Sequence, residues 1–146
     1  MAYYHNSIFN LYLKKSQIPD SGMGIYTTDI IQANTLIDSY NGDYSKTAGG
    51  SYVLMIDDDL SIDAFNHPRC YMAMINDCSF IPKKIIKKNK KKIDITPTAY
   101  YDNNNNKLEI NCEFVIDKIN KKAYVYSIKE IKENSELFIS YGTGYW

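Results

Sequence analysis

Four short segments carry residue types that chemistry can use. Ser21-Gly22-Met23-Gly24-Ile25-Tyr26 holds a G-x-G turn; neither glycine projects a side chain, so the main chain can approach a ligand closely. The third glycine and following helix of a dinucleotide fingerprint are missing. Ile75-Asn76-Asp77-Cys78 sets an amide beside a carboxyl group, and Asn111-Cys112-Glu113-Phe114-Val115 opens a strand. Glu136-Leu137-Phe138-Ile139-Ser140-Tyr141-Gly142 runs a strand into Tyr-Gly and is followed at once by Thr143-Gly144-Tyr145-Trp146. That ending delivers a phenol to a sharp turn, where its hydroxyl can face a cavity. Among 14 tyrosines one beside a glycine means little; the order of all four segments means more.

Other chemistries are disfavoured. Cys70, Cys78 and Cys112 are odd in number and form no C-x-x-C, and His5 and His67 make no ligand spacing with them. A disulfide framework and a tetrahedral zinc site are therefore not expected, and no metal is assigned. Each cysteine reads as a buried small residue. Arg69 is the only arginine, which argues against a guanidinium-based phosphate site.

The elements that must position these segments are mostly strands. Short apolar or alternating runs rich in Ile, Val, Tyr and Phe predict strands over Ile8–Lys14, Gly24–Thr28, Thr35–Tyr40, Tyr52–Ile56, Leu60–Asp63, Cys112–Asp117, Ala123–Ile128 and Glu136–Ser140. Asn41-Gly42 and Asp57-Asp58-Asp59 read as turns between them. One stretch, His67–Asn76, reads as a short helix, and Ile131–Glu136 reads as a turn into the last strand. Residues 81–108 break the rhythm with a lysine run and the tetrapeptide Asn103–Asn106, so they read as a Lys/Asn-rich surface insertion, a loop or an irregular hairpin.

Length and charge bound the answer. The 146 residues suit one domain, and 45% hydrophobic with 23% charged residues can bury a core. Ile, Lys, Asn and Tyr make up 64 of the 146, a bias toward A/T-rich codons that warns against giving every tyrosine a task. No apolar run approaches the ~18 residues of a membrane span, and the N-terminus lacks the order of a signal peptide; the expectation is an intracellular protein with no membrane contact. The 17 basic and 17 acidic residues cancel, but seven lysines lie within Lys83–Lys92. The remainder holds 10 basic against 17 acidic residues, a net of about −7. An acidic body points toward a cationic ligand.

Taken in order, Gly22–Thr28 (GMGIYTT), Ser39–Tyr44 (SYNGDY), Leu60–Ala64 (LSIDA), Met74–Ser79 (MINDCS), Asn111–Val115 (NCEFV) and Glu136–Gly142 (ELFISYG) resemble the motif series of SET-domain protein lysine methyltransferases. The resemblance covers roughly Leu11 to Trp146. It implies a mainly β, β-clip-like fold of several short-stranded sheets with one short helix and a threaded C-terminal segment, as a single SET domain over residues 1–146. It implies S-adenosylmethionine as cofactor, S-adenosylhomocysteine as product, and a basic protein, most often a histone tail, as substrate. The compact chain and its codon bias resemble viral or protist members without pre-SET or zinc-binding post-SET cysteines, and the family's substrates suggest a chromatin-associated location.

The site residues follow from the same resemblance. Tyr141 is the catalytic residue, its hydroxyl orienting the lysine amine and holding the methyl through weak C–H···O contacts; an unperturbed phenol is largely protonated at neutral pH, which speaks against a general base. Cofactor contacts fall to Ser21, Gly22, Met23, Gly24 and Tyr26, to Asn76, to the backbone of Asp77 and to Trp146. Asp77 departs from the family's common histidine. The substrate lysine channel falls to Tyr40, Phe114, Ile139 and Tyr145, with Phe114 and Ile139 equally suited to plain β-core; lacking hydroxyls, they favour more than one methyl per lysine. Tyr145 and Trp146 either close the channel or lie bare. The run Lys83–Lys92 is a candidate contact for DNA or an acidic protein face, and a homodimer is open to a domain this short. The rival class is a catalytically silent SET-like module that binds a partner or the cofactor.

Overall fold

A computed structural model describes residues 2–46, 49–79 and 100–142. Eleven short strands are assigned there: β1 (Tyr3–Tyr4), β2 (Leu11–Lys15), β3 (Met23–Thr27), β4 (Leu36–Ser39), β5 (Asp43–Ser45), β6 (Val53–Asp57), β7 (Leu60–Asp63), β8 (Arg69–Cys70), β9 (Cys112–Asp117), β10 (Lys122–Ser127) and β11 (Ser135–Glu136). The single helical element among these residues is a 3-10 turn, Tyr71–Met74.

Three small antiparallel sheets, β4-β10-β9, β11-β3-β2 and β5-β7-β6, accompany a parallel pair β1-β8. Between them lies one apolar core that includes Ile25, Ile31, Ile37, Ile62, Met72, Ile75, Val125, Leu137 and Ile139. The fold is mainly β, with several short-stranded sheets, as expected. Strands β7 and β9 fall on the bounds read from sequence; β9 carries the aromatic and β-branched run Phe114-Val115-Ile116, and β7 alternates Leu60 and Ile62 with polar residues after the Asp57–Asp59 turn.

The helix expected over His67–Asn76 is reduced to four residues. Its start is claimed by pairing: the Arg69 N–H donates to the Ala2 carbonyl at 2.8 Å in the β1-β8 pair. Its end is claimed too, since Ile75 is extended and the Asn76 carbonyl accepts the Ile139 N–H at 3.0 Å. Fixed partners from distant segments override a locally helical pattern too short to hold itself. The strand expected from Ile8 begins only at Leu11, and Ile8 is 88% exposed.

The last expected strand, Glu136–Ser140, is also shorter than read, with regular pairing confined to Ser135–Glu136. Beyond it the chain passes between two other segments. Phe138 forms a parallel bridge with Asn76, and Ile139 forms one with Cys112. Asn111 locks this passage: its Oδ1 accepts the Phe138 N–H at 2.8 Å and its Nδ2 donates to the Glu136 carbonyl at 3.0 Å.

Part of the expected surface insertion is folded onto the body. Tyr101 bridges Lys107, and Asp102 Oδ1 accepts the N–H groups of Asn104 and Asn106, each at 2.8 Å. Leu108 is buried in a small cluster with Ile18, Cys78 and Phe138. The asparagine run is thus turn chemistry, with Asn105 in the left-handed region. The lysine run Lys83–Lys92 lies outside the described residues.

Candidate active site

The hairpin β2-β3 presents the glycine turn. The Ser16 N–H donates to the Gly22 carbonyl at 2.8 Å, and Gly22 takes φ +66°, a conformation that favours glycine. A side chain there would meet nothing within 4 Å. The loop is held from behind by Glu136, which is 2% exposed. Its carboxyl oxygens accept the Ser16 hydroxyl at 2.7 Å and the Gln17 N–H at 2.9 Å. Gly24 makes room for that group: a Cβ at Gly24 would stand 2.2 Å from Glu136 Oε2.

Asn76 ties this turn to the other half of the site, donating from Nδ2 to the Met23 carbonyl at 3.1 Å. One residue on, Asp77 is buried and faces the C-terminal passage. Its Oδ2 accepts the Tyr141 N–H at 2.9 Å, and its Oδ1 accepts the N–H of Ser79 at 2.8 Å and the Ser79 hydroxyl. The Tyr141 hydroxyl donates to the Ile75 carbonyl. Tyr141 is thereby held at its amide by Asp77 and at its hydroxyl by Ile75.

These pieces surround one cavity of about 450 Å³, within the ~300–1,000 Å³ of small-molecule sites. Ser21, Gly22, Met23 and Asn76 line it together with Tyr40, Phe114 and Tyr141. The Tyr40 hydroxyl donates to the Tyr52 carbonyl at 2.6 Å, and its ring meets Phe114 edge to face at 5.9 Å. Burial, and then the neighbouring Cys70 and Tyr141, push the Tyr40 phenol well above its ordinary pKa. Five aromatic rings, those of Tyr3, Tyr40, Tyr52, Phe114 and Tyr141, share the lining with three methionines, and no charged side chain among the described residues joins them. Such a wall accepts a cation on ring faces and favours the neutral form of an amine.

Four of the expected site residues stand outside this lining. Gly24 packs on Glu136 as above. Tyr26 braces the hairpin, donating to the Lys15 carbonyl at 2.8 Å and stacking on Tyr12; burial, then the Glu136 carboxyl, raise its pKa. Ile139 is fully buried core. Asp77 turns its side chain toward Tyr141 and Ser79. Tyr145 and Trp146 lie outside the described residues. All three cysteines are free and buried; burial and the Asp77 carboxyl push the Cys78 thiol up to about 11.

Sequence reasoning missed several walls of the cavity. Tyr3, Tyr52, Met72 and Met74 line it, and nothing distinguished these tyrosines from the other twelve. Arg69, the sole arginine, is buried with its guanidinium 3.8 Å over the Tyr52 ring, donating to the carbonyls of Ala64 and Phe65. It supports the wall from behind.

Comparisons with known proteins agree with this architecture. The family model described as SET domain matches residues 22–142. No curated protein sequence matches the chain. Among solved structures, one of KRYPTONITE in complex with mCHG DNA and SAH superposes with a TM-score of 0.63 at 19% identity, over 93% of this chain and 24% of that one. A second, of KRYPTONITE in complex with mCHH DNA, H3(1-15) peptide and SAH, gives 0.62 at 18% identity, over 92% of this chain and 23% of that one. The chain therefore spans about a quarter of the length of these neighbours, and the likeness is one of fold.

Proposed function

The chain belongs to the SET-domain family, and from that premise we propose that it is an S-adenosylmethionine-dependent protein lysine N-methyltransferase acting on a basic substrate, with a histone tail as the favoured class. One observation carries the reading: an aromatic cavity, uncharged among the described residues, gathers the glycine turn, the Asn76 amide and the Tyr141 phenol. The solved neighbours hold SAH, and one holds an H3(1-15) peptide, a pairing the proposal carries to this chain. The acidic body, net about −7 outside the lysine run, suits a cationic peptide.

The residues fit the cofactor. Gly22 leaves open space where a side chain would stand, so main chain at Ser21–Met23 is free to approach it. Asn76 uses one N–H on Met23 and keeps its amide oxygen for a ligand. With the Asp77 carboxyl engaged by Tyr141 and Ser79, any contact at that position falls to its main chain, which makes the departure from histidine tolerable. When bound, S-adenosylmethionine supplies an electrophilic methyl group on a positive sulfonium.

The chain's own residues prepare the amine that attacks it. A free lysine has a pKa near ~10.4, and the uncharged wall disfavours its protonated form. Tyr40 and Phe114 bound the channel and exclude water. The Tyr141 hydroxyl, with its proton directed to the Ile75 carbonyl, presents oxygen lone pairs to the transfer point. It orients rather than deprotonates. Most of the rate gain then comes from positioning two ligands in line.

Incubation with labelled S-adenosylmethionine and mixed histones tests the proposal, with Tyr141→Phe as control. Label on a histone lysine, strongly reduced but measurable in the control, is the expected result; absence of both label transfer and cofactor binding overturns it.

A further inference from the structure

We propose that Asp77 is the positioning residue of Tyr141, its carboxyl group replacing a rung of the sheet ladder so that the residue is held at its amide as well as at its hydroxyl. The inference rests on the methyltransferase reading for its kinetic consequence and on geometry for the rest. In the parallel pairing of Asn76 with Phe138, the Ile139 N–H donates to the Asn76 carbonyl at 3.0 Å. Two residues on, the same ladder would send the Tyr141 N–H to the Cys78 carbonyl. Instead it goes to Asp77 Oδ2 at 2.9 Å.

The replacement has a geometric consequence. Cys78 and Ser79 form a turn here, so their carbonyls leave the ladder. A side-chain acceptor rooted one residue earlier can still reach the amide. Asp77 is suited to this because it accepts three donors at once, the Tyr141 N–H and both donors of Ser79. At 4% exposure its oxygens meet little competition from water as a donor. An asparagine has one acceptor oxygen and must turn an N–H toward one of these donors. With Ile75 receiving the hydroxyl, Tyr141 is tied at its amide and its hydroxyl to two residues only two positions apart, and movement at either tie displaces the hydroxyl.

The test uses the full chain with Asp77→Ala, Asp77→Asn and Ser79→Ala. For Asp77→Ala, kcat is expected to fall about 100-fold, the order of loss for an ångström-scale misplacement, while KM for peptide and Kd for S-adenosylmethionine stay within about twofold. Asp77→Asn, which keeps one acceptor, recovers part of kcat, and Ser79→Ala leaves most of it. In a Tyr141→Phe background, Asp77→Asn adds no further loss. Equal losses in both backgrounds, or a loss carried by cofactor affinity, overturn the proposal. Hydrogen exchange of the Tyr141 amide reads the clamp without turnover: in Asp77→Asn it is expected to quicken by more than the accompanying fall in global stability accounts for. An unchanged exchange rate overturns the clamp whatever the activity. Should the native chain transfer no methyl group, the methyltransferase reading fails, and exchange alone decides the clamp.

Discussion

The glycine turn and the tyrosine end of the site are each backed by a buried carboxyl group, and the two groups hold different things. Glu136 holds main chain: it fixes Ser16 and Gln17, and through them the loop whose backbone faces the cavity. Asp77 holds the backbone of a residue whose side chain faces the cavity. The first end brings the glycine turn to the cavity, and the second brings one phenol to it. The two glycines of the G-x-G turn divide in the same way. Gly22 is required by its conformation, Gly24 by its neighbour.

The largest effect that can break this comparison is at Gly24. Its added methyl would stand 2.2 Å from Glu136 Oε2 and 2.9 Å from its Cδ, so the buried carboxyl must move and release Ser16 and Gln17. Gly24→Ala is expected to destabilise the fold by about 3 kcal/mol, the upper range for overpacking, measured by urea unfolding. A stability within about 0.5 kcal/mol of the native chain would mean that Glu136 does not anchor the loop. Next in size, Glu136→Gln can keep its oxygen on the Gln17 N–H but must donate to the Ser16 hydroxyl, exchanging a charge-assisted bond for a neutral one, and should cost about 1.5 kcal/mol. Because both changes act on one group, their effects in the double variant should fall short of the sum.

Much of this site was legible because its parts are local signals. Tyr-Gly after an apolar run, Asn before a carboxyl residue, and G-x-G between two strands are all visible in windows of a few residues, and their order fixed the family. What escaped was long-range. Gly24 reads as a ligand-facing glycine until Glu136, near the other end of the chain, is placed beside it. His67–Asn76 reads as helix until Ala2 and Ile139 take its backbone groups. Asp77 reads as a departure from histidine until Tyr141 is seen to donate to it. Tyr3 and Tyr52 carried no signal in a chain where tyrosine is common, since only tertiary placement separates a cavity wall from a surface ring.

The two ends also differ in what raises the pKa of a nearby phenol, which alkaline titration can sharpen. Burial is the first cause at both Tyr26 and Tyr40; the second is the Glu136 carboxyl for Tyr26 and Cys70 for Tyr40. A phenol whose folded pKa lies above its unfolded value of ~10 contributes stability that is complete below pH ~10. That contribution is lost as the pH rises through the folded value. Stability should therefore fall progressively above pH ~10, and absorbance at the phenolate band should show Tyr26 and Tyr40 among the last tyrosines to ionise. Glu136→Gln should ease the ionisation of Tyr26 and leave Tyr40 unchanged. Equal movement of both would mean that the carboxyl acts through general loosening.

The smallest effect is expected at the other glycine. Gly22 sits at φ +66° with nothing within 4 Å of where a Cβ would stand, so Gly22→Ala meets strain but no collision. The cost of an alanine in the left-handed region is ~1–2 kcal/mol, which for a chain of this length lowers Tm by several degrees. The same methyl borders the cavity, so cofactor affinity should drop by more than the stability change alone would suggest, while Tyr141-dependent kcat at saturating cofactor stays near the native value. Calorimetric titration with S-adenosylhomocysteine beside a thermal melt separates the two quantities. A melt as damaged as that of Gly24→Ala would mean that both glycines answer to packing, and the contrast between conformation and neighbour would collapse.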